Sequence, residues 1–390
     1  MKIRKIAILL ISFCINLVSF LSGFASSDVK VRLLTYEHPD MVTITVSSGA
    51  YRITDSLDHV FVLHESESVI ASKFGKKIYM KPRSGEGFTC DTVFLRGNTD
   101  NSSFSLRYGA GNPTAIHYSG DLKCFADMMK LILVNTCNIE KYLEGVVMAE
   151  GGGGKNEEYF KAQAVIARTY TYKYITKHNP DGFNLCDDTH CQAYDGIIND
   201  SLIIKAVRDT KGQVITTSDS VLIISAFHSN CGGETSPSEF AWVTPQPYLK
   251  RVEDPYCRDS RNAQWKRRFT LNEWGNMLKI NGFAGSMDNP GIFNFDQSSR
   301  MEDYKAGNYS IPLRNIRTRL NLKSTFFSVR VDGDSVYLAG KGYGHGVGLC
   351  QEGAINMAAL GKSYREIINF YYADVRMINI EFVKKVRDDN

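Results

Sequence analysis

The hydrophobic period of this chain changes near Leu131, and no other feature constrains its fold as strongly. From Val29 to about Lys130 the apolar residues come in short segments: "VKVRLLTY", "VTITVSSGAYRI", "HVFVLHE", "KKIYMKP" and "FSLRYG". They are β-branched or aromatic and separated by polar turns, the pattern of successive short strands. Beyond Leu131 helical periods alternate with strands. The expected fold class is therefore α+β. An N-terminal β-rich region (26–130) precedes a domain of mixed strands and short helices (131–385).

The first 25 residues stand apart. Lys2, Arg4 and Lys5 precede an uncharged apolar run from Ile6 to Phe20, with small residues near Ala25. This is the three-part pattern of a secretory signal, and the run is short of the roughly 20 residues of a full span. The expectation is an exported chain that meets the membrane only transiently, through this signal. Its removal takes three of the 46 basic residues and no acid, leaving 43 basic against 42 acidic, a net charge of +1. A near-neutral chain has no electrostatic case for nucleic acid as a partner. Eight of the nine cysteines follow Cys14. Outside the cytosol that even number suggests disulfides.

In the second region "NIEKYLEGVVMAE" predicts a short helix leading into an apolar segment that ends at Glu150. Asn156 is a good N-cap, with Glu157 and Glu158 in the first turn, for a helix to about Thr176. "SLIIKAVRDTKG" reads as a helix stopped by Gly212, and "QVITTSDSVLIISAFHS" as two strands. Residues 272–315, rich in Gly, Asn, Asp and Ser, read as an insertion. A hairpin is expected around Asp332-Gly333, helices near 352–360 and 364–371, and a last strand at "MINIEFV".

Several clusters carry possible chemistry. Gly151–Gly154 before Lys155 suggest a phosphate loop, but Asn156 supplies no hydroxyl for magnesium, so a flexible connector is expected. Glu150 is open between a solvated loop acid and a partly buried general acid, whose pKa burial would raise. Lys161 and Arg168 lie seven residues apart on one helix face, roughly 10 Å, a spacing that suits either a polar extended ligand or solvent. In "KHNPDGFNLCDDTHCQAY", His178, Cys186, His190 and Cys191 offer two thiolates and two imidazoles for a closed, structural zinc site. A Cys186–Cys191 disulfide is the alternative. His228 and Cys231 form a conceivable nucleophile pair, ranked below a Cys231–Cys257 disulfide. "GYGHGVG" presents His345 between glycines, where a ligand can approach closely.

Four blocks in order resemble the SpoIID family of stage II sporulation protein D and the amidase enhancers: "YLEGVVMAE" with "KAQAVIARTY"; "FNLCDDTHCQAYDG"; "FHSNCGGETSPSEFAW" with "PYLKRV"; and "GKGYGHGVGLCQEGAINMAALGKSYREIINFYY". The resemblance implies a groove for peptidoglycan glycan strands and lytic transglycosylase activity. Glu150 matches the catalytic glutamate, and Lys161, Arg168, Thr235, Tyr248 and Lys250 match groove residues. The loop of Cys186, His190 and Cys191 matches the family's zinc region. The family usually has Met-Pro after the glutamate, whereas this chain has Gly151-Gly152. Such an enzyme cleaves between N-acetylmuramic acid and N-acetylglucosamine with one acid, because the C6 hydroxyl of the muramoyl unit is the nucleophile. A hydrolase would need a second carboxylate about 5 to 9 Å away, for which Glu239 and Asp254 are the candidates. The second activity the resemblance implies is non-catalytic: glycan binding that stimulates a cell-wall amidase.

Overall fold

The computed structural model describes residues 28–384 apart from 58, 110–113, 128–129, 152 and 243. The expected signal, residues 1–25, lies outside the described residues.

The early alternating segments form twelve strands: β1 (Asp28–Leu33), β2 (Met41–Ser48), β3 (Ala50–Asp55), β4 (Val60–His64), β5 (Ser68–Phe74), β6 (Lys77–Pro82), β7 (Phe88–Cys90), β8 (Thr92–Gly97), β9 (Ser103–Tyr108), β10 (Ile116–Ser119), β11 (Asp121–Ala126) and β12 (Leu131–Asn138). A two-residue strand, β13 (Leu185–Cys186), returns from the later part of the chain. One sheet runs β13-β1-β12-β11-β8-β3-β4 and the other β10-β9-β2-β5-β6-β7. Every second residue points inward. Val42, Ile44 and Val46 of β2 are buried while their neighbours are more exposed, so one face of the strand packs and the other meets water.

β12 departs from that alternation. Five consecutive residues, Leu131 to Asn135, are buried. It pairs antiparallel with β1 and β11 and runs without a loop into helix α1 (Ile139–Glu150). Asn138 caps that helix, its Oδ1 accepting from the Glu140 amide at 2.9 Å. The position expected to divide two regions, near residue 130, thus falls between two neighbouring strands of one sheet. A single hydrophobic core runs from Val29 and Ile44 through Val146 and Ile166 to Ile368.

Helix α2 (Glu157–Lys173) starts at its expected cap, Asn156, and ends three residues earlier than expected. α3 (Ser201–Asp209) packs on it, and Gly212 follows with φ of 73°. The segment expected to be an insertion packs a core of its own. Its α4 (Leu271–Ile280), capped reciprocally by Thr270 and Glu273, buries Trp274. Trp274 lies against Tyr304, and Phe283 against Phe293. The hairpin about Gly333 belongs to a three-stranded sheet beside them. A short α5 (Leu313–Arg319), then α6 (Gln351–Ala359) and α7 (Tyr364–Tyr371), complete an α+β architecture.

Candidate active site

Glu150 is the last residue of a continuous helix, not the edge of a loop. α1 buries Tyr142, Leu143, Val146 and Val147 at helical spacing, and this fixes its C-terminal end in the core. Three contacts hold that end. The Gln351 side chain donates to the Glu150 carbonyl, the Tyr159 hydroxyl donates to the Gly151 carbonyl at 2.8 Å, and the Ala193 amide donates to Glu150 Oε1 at 2.8 Å. The Ala193 contact requires a close approach between two backbones. A β-carbon on Gly145 would stand 2.3 Å from the Gly196 carbonyl oxygen, so only glycine lets the segment after residue 192 run against α1.

The expected flexible connector is in fact a tight turn. The Gly154 amide donates to the Gly151 carbonyl at 3.2 Å, and Gly153 has φ of 83°. A β-carbon on Gly154 would meet the Tyr159 ring at 2.3 Å. Gly151 and Gly154 thus both pack against Tyr159. Gly152, half of the expected departure from the family pattern, lies outside the described residues.

Burial raises the pKa of Glu150, and the charge of Asp195 adds to the rise, while the Ala193 amide lowers it. The carboxyl group faces a cavity of about 770 Å³ shared with Tyr170, Lys177, Gln192, Trp242 and His345. Among the described residues lining it, Glu150 is the only acid. His345 packs against Trp242 with ring centroids 5.3 Å apart, and its Nδ1 accepts from the Val347 amide at 3.0 Å. Burial and Arg317 pull His345 down to about 4, so the ring is neutral near pH 7.

His178, Cys186, His190 and Cys191 converge, with one donor atom from each lying within 4.8 Å of the others. Cys186 Sγ is 3.5 Å from His190 Nδ1, and Cys191 Sγ is 3.5 Å from His178 Nε2 and 3.8 Å from His190 Nδ1. Tetrahedral zinc with sulfur at about 2.3 Å and nitrogen at about 2.0 Å imposes S···N edges of about 3.5 Å, so this donor set fits the ion. Asp181 Oδ2 lies 3.2 Å from His178 Nδ1, an outer contact that orients the ring. The hydrogen bond with Cys186 and the proximity of His178 and Lys177 hold the Cys191 thiol below the usual thiol range, against the cost of burial. Both cysteines are free thiols.

The N-terminal strands anchor this loop. β13 adds Cys186 to β1 in parallel, opposite Arg32, and the Asp187 carboxylate accepts from the Leu34 and Thr35 amides at 2.6 and 3.1 Å. The β-rich region, silent in the sequence, therefore positions the loop whose Ala193 amide meets Glu150.

Several residues expected to bind glycan are placed elsewhere. Arg168 is fully buried: Nε and Nη2 donate to the two Glu140 oxygens at 3.0 and 2.6 Å, with further bonds to the Val207 and Gln213 carbonyls. A guanidinium inside the core cannot line a groove, and it ties α1 to α2 and α3. Lys161 pairs with Glu157 and Glu158 at 2.7 and 2.9 Å in the first turns of α2, away from the cavity. Thr235 is buried, its Oγ1 accepting from the Val252 amide at 2.8 Å and donating to the Lys250 carbonyl at 3.2 Å. Lys250 itself is exposed and pairs with Asp374 at 3.0 Å. Tyr248 stands behind the cavity wall, its hydroxyl donating to Gln246 Oε1 at 2.9 Å. Of the expected set, Glu150, His190, Cys191 and His345 share the cavity.

Neither candidate second carboxylate lines the cavity. Asp254 is fully buried and bonded to Tyr371, and Glu239 lies in a short 3-10 turn. No Cys–His nucleophile forms either. His228 Nδ1 donates to the Val347 carbonyl at 3.1 Å, while Cys231 packs on Asp254 and Cys257. The expected Cys231–Cys257 disulfide is not formed, the two sulfurs standing 3.2 Å apart as free thiols. Sequence reasoning missed Lys177, Gln192, Trp242 and the Ala193 amide. Gln192 and Ala193 lie in the quoted "HCQAY" block, but a backbone donor carries no residue signature.

Comparison with known proteins bears on the family of the chain. The SpoIID profile, Stage II sporulation protein, matches residues 127–217. The chain is 30% identical over 258 residues to stage II sporulation protein D of Bacillus amyloliquefaciens, covering 62% of this chain and 74% of the relative. It is 30% identical over 373 residues to an uncharacterized protein of Brachyspira hyodysenteriae, covering 93% and 96%. An amidase enhancer of Bacillus subtilis is 30% identical over 283 residues, 59% of this chain and 39% of that longer protein. The chain belongs to the stage II sporulation protein D (SpoIID) family.

Proposed function

We propose that this protein is a peptidoglycan lytic transglycosylase acting outside the cytoplasm, with Glu150 as its single acid–base group. The observation that carries the proposal is a lone carboxyl group, raised in pKa by burial, at the edge of a cavity with no other acid among its described lining residues. A protonated fraction persists closer to neutrality than for an exposed glutamate, as a general acid requires. With Oε1 held by the Ala193 amide, Oε2 is left to carry the proton.

Glu150 donates this proton to the glycosidic oxygen between N-acetylmuramic acid and N-acetylglucosamine. As the bond breaks, positive charge develops at the muramoyl C1. The carboxylate, steadied by the Ala193 amide, then takes the C6 hydroxyl proton while that oxygen closes on C1. The product is a 1,6-anhydro ring, and no second carboxylate is needed. Trp242 and the neutral His345 offer aromatic faces for the apolar faces of sugar rings. His178, Cys186, His190 and Cys191 would hold a structural zinc ion, which supplies a cross-link rather than reaction chemistry.

The amidase enhancer among the relatives favours a second reading, in which the same cavity holds glycan without cutting it and stimulates an amidase. Product analysis separates the two. Purified protein incubated with glycan strands is expected to release anhydromuramoyl ends, and Glu150→Gln to release none. If the wild-type protein releases no such ends from intact or peptide-free strands, the catalytic reading fails.

A further inference from the structure

A second cluster of metal-ligating side chains lies apart from the cavity. Cys231, Cys257, Cys350 and Asp254 come from three separate segments, and one donor atom from each lies within 4.8 Å of the others. All four residues are fully buried. Cys231 Sγ is 3.2 Å from Cys257 Sγ and 3.2 Å from Asp254 Oδ2. Cys350 caps α6, and its sulfur accepts from the Cys231 and Gly353 amides at 3.2 and 3.4 Å. The carboxylate is oriented in turn, accepting from the Tyr371 hydroxyl at 2.9 Å and the Tyr256 amide at 2.9 Å.

Arg300 provides an independent observation. It is 3% exposed, and among the described residues its guanidinium forms no ion pair with a carboxylate. It donates to the Glu234 and Cys231 carbonyls, both at 2.7 Å, and lies over the Phe326 ring. The Glu234 carboxylate, which accepts from the Arg300 amide at 2.8 Å and also pairs with Arg251 at 3.4 Å, offsets only part of this buried charge, and the Cys231 carbonyl brings the guanidinium to the edge of the cysteine cluster. A Cys231–Cys257 disulfide would supply no negative charge there and would leave Cys350 and Asp254 against a neutral bridge.

We propose that Cys231, Cys257, Cys350 and Asp254 form a second, structural zinc site, which fastens the segments around residues 231 and 257 to the start of α6. Three thiolates and a carboxylate around Zn²⁺ carry a net charge of −2, and Arg300 answers part of it. Binding releases the thiol protons and needs no oxidant. The S···S pair at 3.2 Å opens by about half an ångström to reach the edge of a zinc tetrahedron with Zn–S bonds of about 2.3 Å. Gln351, next to Cys350, donates to the Glu150 carbonyl, so the site also steadies the end of α1.

The test isolates this cluster from the cavity loop. The full exported chain carrying Cys186→Ser and Cys191→Ser is loaded with zinc, exchanged into metal-free buffer and assayed for bound metal. One zinc per chain is expected, reduced to none by adding Cys350→Ser. A zinc-free double variant, or a Cys231–Cys257 disulfide peptide recovered from untreated wild-type protein, would overturn the proposal. Should the double variant fail to fold, cobalt(II) in the wild-type chain decides through its thiolate-to-metal absorption. Intensity for three or five cobalt–sulfur bonds supports the site, and intensity for two or none refutes it.

Discussion

Arg168 offers the sharpest contrast between the role its spacing implies and the role its surroundings allow. Replacing it with methionine keeps a long apolar stem but strands the Glu140 carboxylate and removes donors from the Val207 and Gln213 carbonyls. Losing one partner of a buried pair costs about 3–5 kcal/mol. Here the arginine side chain is 0% exposed but the Glu140 side chain is 21% exposed, so the abandoned carboxylate reaches water and the cost falls near about 3 kcal/mol. With a urea m-value of about 3 kcal/mol/M for a chain of this size, the unfolding midpoint should drop by about 1 M. Glu140→Leu combined with Arg168→Met should recover much of the loss, because no charge is then buried alone. Urea unfolding monitored by circular dichroism gives the shift, and glycan affinity is measured on the folded variant. An unchanged midpoint together with weakened glycan binding would refute the reasoning and return Arg168 to the groove.

Other outcomes follow from the same geometry. The folded chain holds the Glu150 proton more tightly than the unfolded chain, so its contribution to stability is full below the ordinary value of 4.5 and is lost as pH rises through the raised one. Glu150→Gln should therefore match wild type in thermal stability at about pH 4 and exceed it at pH 7, each unit of the rise being worth about 1.4 kcal/mol; an equal or lower melting temperature at pH 7 contradicts this. Gly154→Ala should destabilise by about 1–3 kcal/mol and depress turnover, since its β-carbon meets the Tyr159 ring that braces Gly151; unfolding and initial rates check both. If the His178–Cys191 cluster holds zinc, a chelator should speed hydrogen exchange at the Ala193 amide before global unfolding, as mass spectrometry would report. His345, held at about 4, should give glycan binding no titration near pH 6.5.

The strand-rich start, the Asn156 cap and the hairpin at Gly333 were legible because each depends on local spacing and turn chemistry. The Cys/His cluster was legible because its four donors lie within one short loop. Burial of Arg168 was not, because it depends on Glu140, 28 residues earlier, and a seven-residue spacing looks the same for a groove and for a core. Gly145 gave no signal, since its need arises from the distant Gly196 carbonyl pressing on α1. Residues 272–315 read as an insertion because polar turns separate their few large aromatics, and only the fold brings Trp274, Phe293 and Tyr304 into one core. The grouping of Cys231, Cys257 and Cys350 spans more than a hundred residues, where spacing carries no information.

Heavy-oxygen water tests the central claim most directly, that Glu150 cuts glycan by itself with a nucleophile from the substrate. Glycan strands digested in H₂¹⁸O by the wild-type protein should give anhydromuramoyl ends free of label, because the C6 oxygen closes the ring. New reducing muramoyl ends in place of anhydro ends, counted above those already present in the strands, would mean that water is the nucleophile, and the single-acid account would be wrong.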